Sequence, residues 1–299
     1  TPKAARNDFL DGGLFAALEP PRVISNPGGD YRCIKTRTEL DGLISELRHA
    51  TVIAVDTETT SVSPMRAQLC GISLSTKIGT GVYIPVRSPD CGSHLDEKTV
   101  LEALRPILED PDKPKVGHNL KYDLIVLRNA GIDLRGYGER GQAPTNGAFY
   151  GDTMIASYLI DASRSSHALE PLALALLGRT KSSISELIGS GKNQRSFDTV
   201  PVDLAMPYAA GDADLALALM EIMQPQLRAM ELADLYYGLE MPLVGVLAEL
   251  EFNGIQVDAT ELDHQRARLQ TKLAQIQDAL DSESKRALGR TFDPDSPRQ

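Results

Sequence analysis

Residues 51–60 read TVIAVDTETT. A run of β-branched and small apolar residues predicts a buried strand over 52–57, and it delivers two carboxylates separated by one threonine. Along a strand, residues i and i+2 point to the same face, so Asp56 and Glu58 stand side by side. Two like charges that close repel and raise each other's pKa, unless a cation lies between them. The stretch therefore anchors an α/β reading and poses a charge problem that other residues must answer.

Working outward, 68–75 (QLCGISLS) and 80–86 (TGVYIPV) predict two further strands with turn residues between them. Residues 96–110 have helical apolar spacing, with Asp96 as N-cap. Residues 113–119 (KPKVGHN) form a short strand feeding a helix that starts near Asn119. The stretch 133–151 is dense in Gly and turn formers and reads as an exposed loop. Residues 152–224 are mostly helical, broken at RSSH (164–167), at GSGKNQ (189–194) and at Pro201. Residues 1–30, rich in Pro, Gly and Asn, read as a linker or arm. From about 231 the pattern changes to two long amphipathic helices joined by a Gly turn, so a second unit is expected to begin near 230.

With 299 residues, 42% hydrophobic and 24% charged, the chain has the composition of a soluble globular protein. A net charge of −10 argues against polyanion binding by bulk electrostatics, but leaves room for a local site gripping a few phosphates. Cys33, Cys70 and Cys91 have no C-x-x-C spacing, so neither a disulfide framework nor a zinc site is indicated. There is no secretory signal and no apolar run long enough for a membrane span, which points to the cytoplasm. Thr1 in place of an initiator Met, and the abrupt end at FDPDSPRQ, suggest a piece of a longer protein.

Two more acids have suitable surroundings. Asp123 lies four residues after Asn119 in VGHNLKYD, so both share a helix face just after a strand. Tyr208 and Asp212 in PYAAGD are likewise four apart, on a helix expected to open near Pro207. Carboxylates hold hard cations such as Mg²⁺, which relieve the repulsion of crowded acids. Asp56, Glu58, Asp123 and Asp212 would cage two such ions, and a pair about 3.5–4 Å apart serves phosphodiester cleavage. One turn from a metal ligand, the Tyr208 phenol could aim the attacking water.

DTETT (56–60), NLKYD (119–123) and YAAGD (208–212) resemble the three motifs of the DEDD superfamily of 3′→5′ exonucleases, in the version with Tyr before the last Asp. LEMPLVGVLAELEFNGIQVD (239–258) resembles the opening of the polymerase region in the bacterial DNA polymerase I family, the family A enzymes. DTMIASYLI (152–160) and GKNQRSF (191–197) resemble connecting segments of its proofreading domain. The resemblance covers roughly residues 30–299.

It implies a ribonuclease-H-like three-layer fold, with a mixed sheet of about five strands flanked by helices, over residues 31–228. The start of a helical polymerase domain would occupy 229–299. It further implies removal of nucleotides from a single-stranded DNA 3′ end with two Mg²⁺ or Mn²⁺ ions, releasing nucleoside monophosphates, by a monomer associated with the nucleoid through DNA. By motif position, Asp56, Glu58 and Asp212 would hold the tighter ion. Asp56 would bridge to a second ion, which Asp123 reaches through water, while Tyr208 and Glu58 orient the nucleophile. Asn119 and Tyr122 would contact the terminal nucleotide, Val62 would wedge against its base, and the Thr57 backbone would position the 3′ end. Arg164 and His167 would grip the strand. The family commonly has Arg where this chain has Ser166, so Arg164 is the substitute. A stacking aromatic is replaced by Ile184, which predicts weaker single-strand affinity, since such stacking contributes about 1–3 kcal/mol per base.

Two other functions are weighed against this one. A ribonuclease-D-like exoribonuclease shares the three motifs and differs in the region beyond residue 231, and a catalytically dead DNA-end-binding module would lack one of the four acids. The remaining polar residues have plainer readings: Asp152 as an N-cap, Asp214 facing solvent, His118 and His167 as satisfied hydrogen-bonding residues, Lys121 on the surface. Gly189-Ser-Gly191-Lys192 lacks both the strand and the spacing of a phosphate loop.

Overall fold

A computed structural model describes residues 29–144, 149–291, 293 and 296. The arm read over 1–30 thus lies outside the described residues except for its last two. Six strands form one mixed sheet in the order β1-β4-β3-β2-β5-β6. They are β1 (Asp30–Cys33), β2 (Ile53–Thr59), β3 (Leu69–Ser75), β4 (Thr80–Pro85), β5 (Lys115–Gly117) and β6 (Gly151–Asp152). β2–β3 and β3–β4 are antiparallel, whereas β1–β4, β2–β5 and β5–β6 are parallel. The count exceeds the expected five because the edges are brief: β1 is the polar DYRC and β6 has two residues, too little pattern for periodicity to register.

Ahead of β2 runs α1 (Arg37–His49), a helix not anticipated from the sequence. Its signal was present: Thr36 and Glu39 form a capping box, and Leu40, Leu43, Ile44 and Leu47 make the buried stripe. The helix read over 96–110 is α2 (Glu97–Leu108), capped by Asp96 as expected. α3 (Leu120–Asn129) begins after Asn119, which takes a left-handed conformation that Asn tolerates better than most residues. Asn119 makes no side-chain cap; Asp152 accepts from the backbone N–H groups of Asn119 (3.0 Å) and Leu120 (2.7 Å) instead. The same carboxylate caps α4 (Thr153–Ile160) through Met154 N–H at 2.8 Å, so one buried acid starts two helices.

Short helices come next at Leu169–Leu172 (α5) and Ile184–Ile188 (α6), and then the 28-residue α7 (Val202–Ala229). α7 opens five residues earlier than Pro207 suggested. That proline removes only the bond to the Asp203 carbonyl, and both residues lie on the exposed side of the turn, where solvent can reach the carbonyl. α7 crosses the sheet face that carries Asp56, Ser73, Tyr83 and Gly81, which are register partners or two residues apart. Gly81 permits the approach: a Cβ there would lie 2.5 Å from the Ala210 carbonyl oxygen. The other face, with Ile53, Val55, Ile72, Leu74, Val82 and Ile84, joins the buried leucines of α1 and α2 in one cluster.

Asp214 is not solvent-facing. It is fully buried, accepting from Tyr31 O–H (2.8 Å) and Gly79 N–H (2.7 Å) and pairing with Arg179, so it ties α7 to the β1 and β4 side of the sheet. A helix wheel sees only its own helix, and here the partner elements decide.

After α7 the chain continues through Ala233–Leu235 (α8) and a π turn into α9 (Met241–Asn253), burying Tyr236, Tyr237, Met241 and Val244 in the main cluster. Contacts divide the chain into two units, 1–252 and 253–299. The second contains α10 (Ala259–Leu288), capped by Asp258, with Leu262, Leu269, Leu273 and Ile276 exposed. No helix among the described residues is long and apolar enough to cross a membrane.

Candidate active site

β2 supplies Asp56 and Glu58 on one face, opposite Ser73 and Gly71 of β3. A register shift between Glu58 and Thr59 ends the regular pairing at this point, a common device for aiming side chains. α7 brings Asp212 onto the pair, so that one carboxylate oxygen from each of Asp56, Glu58 and Asp212 lies within 4.8 Å of the others. Asp123 stands outside this trio. It comes from α3, accepts a hydrogen bond from Thr57 Oγ1 at 2.6 Å, and lies near enough to Asp56 for mutual repulsion.

The electrostatics reflect that crowding. Burial, then the Asp212 charge, pushes Asp56 up to about 7, with Lys181 pulling it back. Glu58 is raised well above its ordinary value by burial and then by Asp56 and Asp212. Asp123 is raised likewise by burial and Asp56, and Asp212 by burial, against Lys181. Glu58 Oε1 is buried with no hydrogen-bond partner among the described residues. Lys181, which sequence reasoning missed, forms an ion pair with Asp212 and lies 3.9 Å over the Tyr208 ring. A lysine in the run TKSS carries no local mark of such a role. Phe197 contacts the same ring at a centroid distance of 6.3 Å, and burial, then Asp212, Glu58, Asp56 and Glu170, keep the Tyr208 phenol protonated.

The remaining sequence-predicted residues are spread around this centre. Tyr122 O–H is bonded to the Ser61 carbonyl and Thr59 Oγ1 at the end of β2, next to Val62, which is 93% exposed. Asn119 opens α3 four residues before Asp123. His167 Nδ1 meets Ser157 Oγ at 2.9 Å and its ring packs edge-on to Tyr158. Arg164 pairs with Asp161 at 3.7 Å, and its Nε is buried without a partner among the described residues. His118 is only half satisfied: Nδ1 meets Thr153 Oγ1 at 2.8 Å, while Nε2 is buried and unpartnered among the described residues. Burial, then Lys181 and His167, push it down to about 4. Ile184 is partly exposed, and Lys121 pairs with Glu251 on the surface.

These shifts predict an inverted pH response in the absence of divalent ions. The folded state holds a proton on Asp56 up to about pH 7 that the unfolded chain releases near pH 4, so stability from this group is lost as pH rises from 4 to 7 and is level above it. Below about pH 6 the depressed His118 acts oppositely, since the unfolded state then takes up the proton. The raised acids outnumber the single histidine, so stability in EDTA is expected to be highest near pH 4–5 and to fall by a few kcal/mol by pH 7. A flat or rising profile over pH 5–7 would contradict the crowding.

A strand-borne pair of acids completed by an acid from the helix across the same sheet face is a nuclease arrangement on a ribonuclease-H-like fold. The chain belongs to the 3′–5′ exonuclease family, whose model matches residues 31–228. It is 38% identical over 275 residues to DNA polymerase I of Pseudomonas aeruginosa, covering 90% of this chain and 28% of that relative. It is also 34% identical over 288 residues to DNA polymerase I of Rhizobium leguminosarum, covering 90% and 27%. The chain thus spans under a third of the length of these relatives. Among solved structures, the POL domain of Pol1 from M. smegmatis, in complex with DNA primer-template and dNTP, shares the fold. The TM-score is 0.64 at 23% identity, covering 90% of this chain and 39% of that one. Brucella melitensis NrnC with bound Mg²⁺ shares it at a TM-score of 0.52 and 19% identity, covering 77% and 98%.

Proposed function

We propose that this chain is the metal-dependent proofreading exonuclease of a bacterial DNA polymerase, removing nucleotides singly from a single-stranded DNA 3′ end. The observation that carries the reading is the meeting of Asp56, Glu58 and Asp212 oxygens within 4.8 Å, with Asp123 alongside. The donor set fits a hard divalent cation. Every ligand is a carboxylate, and among the described residues one oxygen is buried without a partner and Lys181 is the cation in contact with the cluster. Asp56, Glu58 and Asp212 would hold one Mg²⁺ or Mn²⁺ ion, with Asp56 and Asp123 serving a second. Bound there, the ions neutralise charge and lend Lewis acidity toward water and phosphate.

The chain's own share is orientation. Tyr208, protonated at any working pH, donates a hydrogen bond to the attacking water, and Glu58 accepts one from it. Thr57 fixes the direction of Asp123. Tyr122, clamped to the end of β2, would contact the terminal nucleotide with Val62 and Asn119, and Arg164 and His167 would hold the strand. Residues 31–228 form this unit, 1–30 lead into it, and 229–299 begin a polymerase region. The name of the relatives, DNA polymerase I, supports a DNA substrate; action as a cytoplasmic monomer that yields nucleoside monophosphates is part of the same proposal.

The test is 3′-labelled single-stranded DNA with Mg²⁺: mononucleotides accumulate, and EDTA stops their release. Tyr208→Phe deletes one hydroxyl, which is hydrogen-bonded to Asp212, and leaves the ring packing intact, so it slows release by about 10²-fold or less and lowers stability by about 1–3 kcal/mol. Binding of the DNA with no metal-dependent turnover would favour an end-binding module. A ribonuclease reading is kept because a fold neighbour, NrnC, is described bound to pGG. An RNA oligonucleotide of the same sequence, digested faster than the DNA, would favour it.

A further inference from the structure

Lys181 has no part in the family motifs, yet it is the cation seated on the carboxylate cluster. It approaches from the segment between Gly178 and α6, in which Arg179 grips Asp214 and Lys181, two residues on, grips Asp212. Both the Lys181 and the Asp212 side chains are nearly buried, at 12% and 10% exposed, so this pair is not a screened surface contact. The Tyr208 ring lies under the ammonium at 3.9 Å, a second favourable partner. The charge of Lys181 also reaches Asp56 and Glu58.

We propose that Lys181 is a built-in counter-cation that occupies Asp212 until a divalent ion displaces it, so that this residue sets the metal concentration at which the site loads. Displacement is a matter of charge. A dication among Asp56, Glu58 and Asp212 would sit beside an ammonium already bonded to one of its ligands, and like charges repel strongly where both side chains of that pair are nearly buried. Four carbons of flexible stem let the ammonium withdraw without moving the backbone. Lys181 therefore acts through Asp212 and is a positioning residue: it keeps the acids assembled between turnovers, and metal binding must compete with it.

The inference rests on the metal-site reading above, and the experiment separates the two. Free Mn²⁺ is counted by electron paramagnetic resonance as the ion is titrated into wild type, Lys181→Met and Lys181→Arg, with no DNA present. Lys181→Met keeps the stem and removes the charge, and is expected to bind Mn²⁺ about 10-fold more tightly. Lys181→Arg keeps the charge and stays near wild type. Equal affinities for wild type and the Met variant would overturn the proposal. Failure of all three to bind Mn²⁺ would overturn the metal site and, with it, this role. Should the Met variant not fold, amine-reactive labelling of the wild type decides. Lys181 should become several-fold more reactive on adding Mg²⁺, while Lys98, 82% exposed, stays constant. Unchanged protection of Lys181 would then sink the idea.

Discussion

Asp56→Asn combined with Glu58→Gln is expected to slow release of mononucleotides from a single-stranded 3′ end by at least about 10³-fold. The same variant should melt higher than wild type in EDTA at pH 8. Both substitutions keep the shape and remove charge. Two of the three oxygens that meet within 4.8 Å then belong to neutral amides, too weak to hold a hard cation against water. Stability moves the other way because wild type has to keep buried acids ionised beside Asp212. The Lys181–Asp212 pair survives in the variant and, with less competition, closes the cluster. The gain should shrink as the pH falls below 7 and vanish only near pH 4, where Asp56 is protonated in the unfolded wild type as well as in the folded one. Activity assays and melts on one preparation check both signs together. Full activity would remove the carboxylates from the chemistry, while a lower melting point at pH 8 would show that they are not strained.

Gly81→Ala is expected to destabilise the protein by about 3 kcal/mol and to cost activity although it touches no acid. The added Cβ would meet the Ala210 carbonyl oxygen at 2.5 Å and its carbon at 3.0 Å, and both are backbone atoms of α7 that cannot rotate away. Relief requires α7 to lift from the sheet. Tyr208 and Asp212 flank Ala210 on that helix, so they retreat from Asp56 and Glu58. Gly42→Ala supplies the control: it lies on the exposed face of α1 with nothing within 4 Å of the new methyl. Helix propensity predicts that it stabilises by about 0.5–1 kcal/mol. Denaturant midpoints distinguish these outcomes, and a Gly81→Ala protein as stable as wild type would mean that α7 is not pressed on β4.

Much of the fold was legible because its signals are local. The apolar run before Asp56, the Asp96 cap, the N-cap at Asp152 and the helical spacing after 231 each lie within a few residues of what they determine. β1 and β6 escaped notice because a strand of two to four residues carries no period, and its hydrogen bonds come from neighbours distant in sequence. α1 carries a local signal of its own in the Thr36–Glu39 capping box.

In the site, the chain order of Asp56, Glu58, Asp123, Tyr208 and Asp212 contained the candidate acids. Their types and i+2 or i+4 spacing reflect strand and helix geometry alone. Tertiary structure decided which of them meet: α7 lays Asp212 on the strand pair, while Thr57 holds Asp123 to one side. It also decided that Asp214 is buried with Arg179 and Tyr31, and that Lys181 is the counter-cation at Asp212. The physical reason is the reach of the forces involved. Caps and amphipathic stripes act over one or two turns of chain, whereas the charge balance of a buried cluster is set by whichever residues packing brings there, and Lys181 lies 31 positions from the aspartate it neutralises.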